Sequence, residues 1–259
     1  MLGWSINLFR VFGIQLAVHA TFLLLLVYWG YTGWMEGGAA GMAWSIGLIT
    51  LFFVCVTLHE LGHSLTARRY GVQTPRILLL PIGGMAEMDH IPRKPSAEFF
   101  ITIMGPAVNF VIAALLLPFT WREVLGMAGV EPHSLSELLA QLFVANFVMG
   151  IFNFLPIYPM DGGRILRSIL AIWLPYLRAT WWAVMTARVL APILAFVAFY
   201  FFGRPMLGVL FIFILLAGNT EYRLLLRREA ESAYWAELAK QAAPVTPDEP
   251  PPLVIHGRN

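Results

Sequence analysis

The stretch Phe53-Val-Cys-Val-Thr-Leu-His-Glu-Leu-Gly-His-Ser-Leu65 decides how the chain is read. An apolar run carries straight into His59-Glu60-Leu61-Gly62-His63. On a helix, His59 and His63 lie one turn apart on the same face. Two imidazoles so placed can share one zinc ion. Glu60 follows the first of them, so its carboxylate can reach the open side of the metal and act on water there. The setting is unusual, because the pattern lies inside a hydrophobic stretch long enough to enter a membrane.

Composition supports that setting. Of 259 residues, 59% are hydrophobic and only 12% charged, whereas a soluble domain is about a quarter charged. Repeated apolar stretches of about 17–22 residues read as transmembrane helices. The expected fold is therefore an all-α membrane protein, a polytopic bundle of six spans. The single cysteine, Cys55, excludes an intramolecular disulfide. No basic face for nucleic acid is present. Arg10 precedes an apolar run as in a signal peptide, but the run ends in Tyr28-Trp29-Gly30-Tyr31 without a small-residue cleavage site. It is read as a retained first span.

Residues 1–13 are short and mixed, a surface strand or an interfacial segment. Ile14 to Gly30 is the expected first span, with His19 inside it, followed by a Gly-rich turn over residues 31–41. Met42 to Tyr70 is the second span. Ile77 to Met88 is too short to span as a helix and is broken by Pro81 and Gly83-Gly84, so a re-entrant β-hairpin is expected between spans two and three. Glu98 to Phe119 is the third span. The loop that follows, of about 17 residues, is too short to hold an inserted domain. Leu135 to Leu155 is the fourth span. Leu166 to Leu177 reads as a short amphipathic helix. Trp181 to Phe202 and Met206 to Gly218 are spans five and six, joined by a turn at Gly203-Arg204-Pro205. Residues 221–243 read as a charged helix leaving the membrane, and the proline-rich last residues as disordered. The expected division is a membrane domain over 1–228, with core spans within 42–163, and a cytosolic helix end and tail over 229–259.

Six spans place Arg10, Arg68, Arg69, Arg76, Arg93, Lys94, Arg164, Arg167, Arg178 and the C-terminal basic residues on one side. The other side holds Arg122 and Arg204. By the positive-inside rule both termini are cytosolic, and the His59–His63 pattern and Asp161 lie toward the cytosolic leaflet. The expected location is the cell membrane.

A catalytic zinc takes three protein ligands and keeps one open position. Cys55 shares the face of His59 and His63, but eight helical residues rise about 12 Å, against zinc–ligand bonds of about 2.0–2.3 Å. Cys55 is read as a small buried hydrophobe. Asp161 is the better third candidate, since an acidic residue at the end of a hydrophobic span is costly without a partner. Gly162-Gly163 beside it allow close backbone approach, and Pro156 and Pro159 turn the chain back. Local features equally allow Asp161 to cap the helix that begins at Gly162.

At this point the sequence resembles the site-2 protease family of intramembrane zinc metalloproteases. The likeness rests on His59-Glu60-Leu61-Gly62-His63, Gly83-Gly84, Gly105-Pro106-Ala-Val-Asn109 and Asn153-Phe-Leu-Pro156-Ile-Tyr-Pro159-Met-Asp161-Gly162. It extends over spans two to four and is weaker around Val18-His19. The resemblance implies His59, His63 and Asp161 as ligands of one zinc, and Glu60 as the catalytic carboxylate. From the short third-to-fourth loop and short tail, a minimal form without the PDZ or CBS domains of some members is expected.

The expected activity is hydrolysis of a peptide bond within or next to a transmembrane segment of a single-pass protein or peptide substrate, inside the lipid bilayer. Asn153, and less directly Asn109, are candidate donors to the substrate backbone or oxyanion; the alternative for both is an interhelical hydrogen bond. The Gly83-Gly84 strand can receive substrate as an added β-strand, or be a structural hairpin. His19 is either near the site or an interhelical partner. Two other functions share these histidines: a metal-handling transporter and an inactive client-binding scaffold. An intact Glu60 disfavours the transporter, whose transit site needs no general base.

Overall fold

The structure is a computed structural model that describes residues 4–90, 92–127, 133–203 and 205–241. The expected disordered tail over 244–259, and Arg204 of the predicted turn, lie outside these residues. The fold is mostly helical, with a small N-terminal sheet. The expectation of an all-α chain is corrected by four strands: β1 (Ser5–Val11), β2 (Ile14–His19), β3 (Arg76–Leu80) and β4 (Gly83–Glu87). They form one sheet in the order β1-β2-β3-β4. β1 and β2 pair antiparallel, β2 and β3 parallel, and β3 and β4 antiparallel.

Ile14–His19 is thus a strand, not the start of the first span. Its backbone pairs with the parallel partner β3, some sixty residues onward in the chain, and its apolar side chains are buried. His19 ends the strand and caps the next helix, its Nδ1 accepting from the Thr21 amide. The expected hairpin over 77–88 exists as β3 and β4, but it is half of a larger sheet rather than a free-standing plug.

Six helices follow: α1 (Ala20–Arg69), α2 (Pro95–Val124), α3 (Leu135–Phe154), α4 (Asp161–Leu170), α5 (Tyr176–Tyr200) and α6 (Pro205–Gln241). Five of them, all but α4, are long and apolar enough to cross a membrane. Many large apolar side chains on them face outward, Leu24, Leu115, Phe199 and Leu216 among them, an arrangement that requires lipid rather than water around the bundle. The chain is a multi-pass integral membrane protein.

α1 is broken only at Gly37 and Gly38, where Gly38 has φ +60°. The chain reverses there. Phe22 meets Phe53 edge-on at 4.6 Å between ring centroids. A β-carbon on Gly33 would lie 2.4 Å from the Gly41 carbonyl oxygen, so the two arms touch backbone to backbone. The predicted turn over 31–41 therefore shrinks to two residues, because small side chains let both arms stay helical up to the bend.

Two boundaries move for local reasons. The link between α2 and α3 is shorter than expected, since α2 runs on to Val124. α4 begins at Asp161 instead of Leu166. A β-carbon on Gly162 would strike the Leu155 carbonyl oxygen at 2.1 Å, and one on Gly163 the Tyr158 amide nitrogen at 2.4 Å. Only glycines let the helix start so tightly against the preceding turn. α6 runs unbroken from the expected sixth span into the charged helix read over residues 221–243, as far as Gln241.

The sheet packs on α1 through Ile14, Leu16, Val18, Ile77 and Leu79, against Phe22 and against Phe53, Val56 and Leu61. The last three belong to the helical face that flanks the two histidines. The same apolar contact thus anchors the sheet and sets the β4 edge beside Glu60.

Candidate metal centre

His59 and His63 lie on the second arm of α1, 3% and 7% exposed. Their Nε2 atoms are 3.1 Å apart. Asp161, the first residue of α4, brings its Oδ2 to 3.2 Å from His59 Nε2 and 3.3 Å from His63 Nε2. Among the described residues, these three form the one group of His, Cys, Asp or Glu side chains able to hold a metal ion. Sequence reasoning named all three, and the fold brings them together across two helices that are about a hundred residues apart in the chain.

The hydrogen bonds behind the imidazoles fix their tautomers. His63 Nδ1 is 2.8 Å from the Ile101 carbonyl oxygen, which can only accept. His59 Nδ1 is 2.5 Å from Asn109 Oδ1. Asn109 Nδ2 in turn donates to Asn146 Oδ1 at 2.9 Å, and Asn146 Nδ2 to the Leu142 carbonyl at 2.8 Å. Each Nδ1 carries its proton away from the site, so two Nε2 lone pairs and a buried Asp161 oxygen with no hydrogen-bond partner converge on one point. Such convergence is repulsive unless a cation sits among them. Tetrahedral zinc with bonds of about 2.0–2.1 Å sets its ligands about 3.3–3.4 Å apart, close to the three observed separations. The residues therefore fit a zinc ion.

α2 forms the wall behind this triangle. A β-carbon on Gly105 would lie 2.2 Å from His63 Nε2 and 2.7 Å from His59 Nε2. Gly62 plays the reciprocal part on α1, where a β-carbon would strike the Met104 carbonyl oxygen at 2.7 Å. Pro106 lacks the amide that would donate to Thr102, which interrupts the ladder next to the turn that accepts from His63.

On the open side, His59, Glu60, His63 and Asp161 line a cleft of about 350 Å3. Gly84, Met85 and Ala86 of β4 line it as well, together with Thr102, Asn153 and Arg164. Glu60 touches β4 directly, since a β-carbon on Gly84 would fall 2.5 Å from Glu60 Cγ. Asn153 faces the cleft and donates one amide proton to the Met149 carbonyl. Gly83, at φ +139°, opens β4 opposite Leu80, and a β-carbon there would meet nothing within 4 Å. Asn109 is fully buried behind His59 and does not line the cleft. Its interhelical hydrogen bond, the alternative to substrate binding, is what the structure holds. Cys55 is buried and free.

Sequence reasoning missed Asn146, which continues the Asn109 relay, and Glu98 and Arg167, a fully buried ion pair between α2 and α4. Asn146 had a signal, being a polar residue inside an apolar span. Arg167 had none, because an arginine next to a span reads as a surface charge. Beside it, burial raises the pKa of the Tyr158 phenol above its ordinary value, so the hydroxyl stays protonated. It donates to Glu221 and accepts from Arg167.

Replacing Asn109 by Ala should free the His59 ring to rotate and change tautomer. Zinc affinity is expected to fall about 10–100-fold, with a smaller effect from Asn146→Ala, one bond further out. Chelator competition on the purified variants measures both.

The sequence profile of peptidase family M50 matches residues 47–125 and 120–194, more than half of the chain. The chain belongs to peptidase family M50. Its relatives include a zinc metalloprotease of Methanocaldococcus jannaschii, 42% identical over 193 residues, covering 74% of this chain and 53% of the relative. Stage IV sporulation protein FB of Bacillus subtilis is 28% identical over 189 residues, covering 69% of this chain and 62% of the relative. The chain thus spans roughly half to three fifths of these family members. Among solved structures, the site-2 protease of Methanocaldococcus jannaschii superposes with a TM-score of 0.59 at 36% identity, covering 85% of this chain and 95% of that one. This M50 chain shares the site-2 protease fold.

Proposed function

We propose that this chain is a zinc-dependent intramembrane endopeptidase that hydrolyses a peptide bond in a membrane-embedded segment of a protein substrate. The observation that carries the reading is that the His59–His63–Asp161 triangle, the Glu60 carboxylate and an unpaired strand edge share one cleft. One zinc per chain, held by His59, His63 and Asp161, would supply Lewis acidity that acidifies water and polarises a carbonyl. Glu60 removes a proton from the attacking water as its oxygen adds to the peptide carbon. When the C–N bond breaks, Glu60 delivers that proton to the leaving amine. Asn153 keeps a second amide proton free to donate to the substrate backbone or the developing oxyanion.

A helical segment shields its peptide bonds, so the substrate must be extended at the scissile point. β4 pairs with β3 on one side only, and its other edge borders the cleft. An extended substrate adds there as a fifth strand, held through backbone hydrogen bonds. Substrate in this reading is a single-pass membrane protein or its remnant peptide.

For topology, we take the two arms of α1 as separate crossings, which makes six with α2, α3, α5 and α6. The core of the peptidase lies within residues 42–163 of a membrane domain that reaches 228. The basic residues then gather at one end. Arg68 donates to the Phe12 carbonyl, Arg76 pairs with Glu87, and Arg93 pairs with Glu229 of α6. That end faces the cytosol, with both termini and the cleft toward the cytosolic leaflet of the cell membrane.

The test uses the purified chain in detergent and a labelled transmembrane peptide. Removing zinc with a chelator should abolish cleavage, and one equivalent of zinc per chain should restore it. Cleavage that survives complete metal removal would refute the mechanism. Bound zinc without cleavage across a panel of transmembrane peptides would point to a scaffold.

A further inference from the structure

We propose that the buried Glu98–Arg167 ion pair is the positioning device for Asp161: it clamps α4 onto α2 and so sets the carboxylate at the distance the two histidines require. The inference rests on the reading of His59, His63 and Asp161 as the zinc ligands.

Both partners are 2% exposed. Arg167 Nε donates to Glu98 Oε1 at 2.8 Å, and Nη2 donates to the same oxygen. The remaining terminal nitrogen, Nη1, donates to the Tyr158 hydroxyl at 2.7 Å. The guanidinium lies against two rings, its carbon 4.9 Å from the Tyr158 centroid and 5.0 Å from that of Tyr176. A planar cation held on its edges and over its faces has one orientation. The pair thus fixes the rotation of α4 as well as its height.

Its two ends lie on the two halves of the metal centre. Arg167 and Asp161 share the ten-residue α4. Glu98 lies on α2, one turn before Ile101, whose carbonyl accepts from His63. α4 is held in its first turn by Gly162 and Gly163 against the preceding turn and by Arg164, 3.5 Å from Glu221 of α6. Anchors confined to the first turn leave a helix free to pivot, and the Arg167 anchor, further along α4, removes that freedom. Asp161 itself has no hydrogen bond that would hold its Oδ2 in place.

The experiment uses the full chain in detergent and reads zinc affinity by chelator competition, the cobalt(II) absorption spectrum, and thermal unfolding without metal. A single deletion would strand one buried charge, so the informative variant is the double Glu98→Leu/Arg167→Met, which removes both. It should unfold near the wild-type temperature, bind zinc at least about tenfold more weakly, and lose intensity in the tetrahedral cobalt bands. Arg167→Lys, which keeps the charge but loses the fork, should fall between. Wild-type zinc affinity and cobalt spectrum in the double variant would overturn the proposal. If the double variant does not fold, Arg167→Lys decides: weaker zinc binding supports the clamp, and wild-type affinity overturns it. A wild-type chain that binds zinc without cleaving refutes the peptidase reading and leaves the clamp standing. One that binds no zinc overturns both.

Discussion

Glu60→Gln leaves zinc in place and lowers kcat by about 10²–10⁴-fold, the usual contribution of a positioned general acid–base. The amide keeps the shape of the carboxylate, so the contact with β4 at Gly84 survives. Glu60 is not among the three convergent ligands, so metal content should match wild type. What disappears is the ability to take a proton from water and return it to the amine. KM should change little, because no substrate-binding atom is removed. The measurement is kcat, KM and zinc per chain on the same preparation. Equal cleavage by both forms would remove Glu60 from the mechanism, and loss of zinc would make it a ligand.

Gly105→Ala should cost the metal itself. The added methyl would lie 2.2 Å from His63 Nε2 and 2.7 Å from His59 Nε2, far inside ordinary contact. Both imidazoles are held from behind, at Asn109 and at the Ile101 carbonyl, so neither can retreat without breaking its hydrogen bond. Zinc affinity should drop by more than the roughly 10–100-fold that follows loss of an outer partner, and cleavage should vanish with it. Overpacking of this kind typically costs about 1–3 kcal/mol, which a bundle can survive, so the variant should still fold. Gly47→Ala is the control, because its methyl meets nothing within 4 Å. It should leave zinc and cleavage unchanged. Full zinc occupancy in Gly105→Ala would show that α2 is not the wall of the site.

Some of this was legible in the sequence because it is local. The i and i+4 spacing of His59 and His63 follows from helical geometry alone, and Glu60 comes with it. The apolar lengths predicted the long helices, and Pro81 with Gly83-Gly84 predicted the break into β3 and β4. Asp161 was legible as a costly carboxylate, but local features left it between ligand and cap. It is the third corner of the triangle and the first residue of α4, whose N-cap is Met160, with no side chain capping the helix.

The rest depended on partners far away in the chain. Ile14–His19 reads as the start of a span because its residues are apolar. It is a strand because β3 supplies the hydrogen bonds that a strand buried in protein needs. Asn109 could have faced substrate or a helix. Asn146, on another helix, decides that it faces His59. Gly105 looks like any small residue in a membrane helix until two imidazoles are found against it. Arg167 counts as a surface charge until Glu98 and two tyrosine rings enclose it. The sequence by itself determined which groups could do the chemistry, because residue type and helical period are properties of the chain. Which of them meet, and at what distance, only the tertiary structure decided, because burial and hydrogen-bond partnership are properties of elements packed against each other.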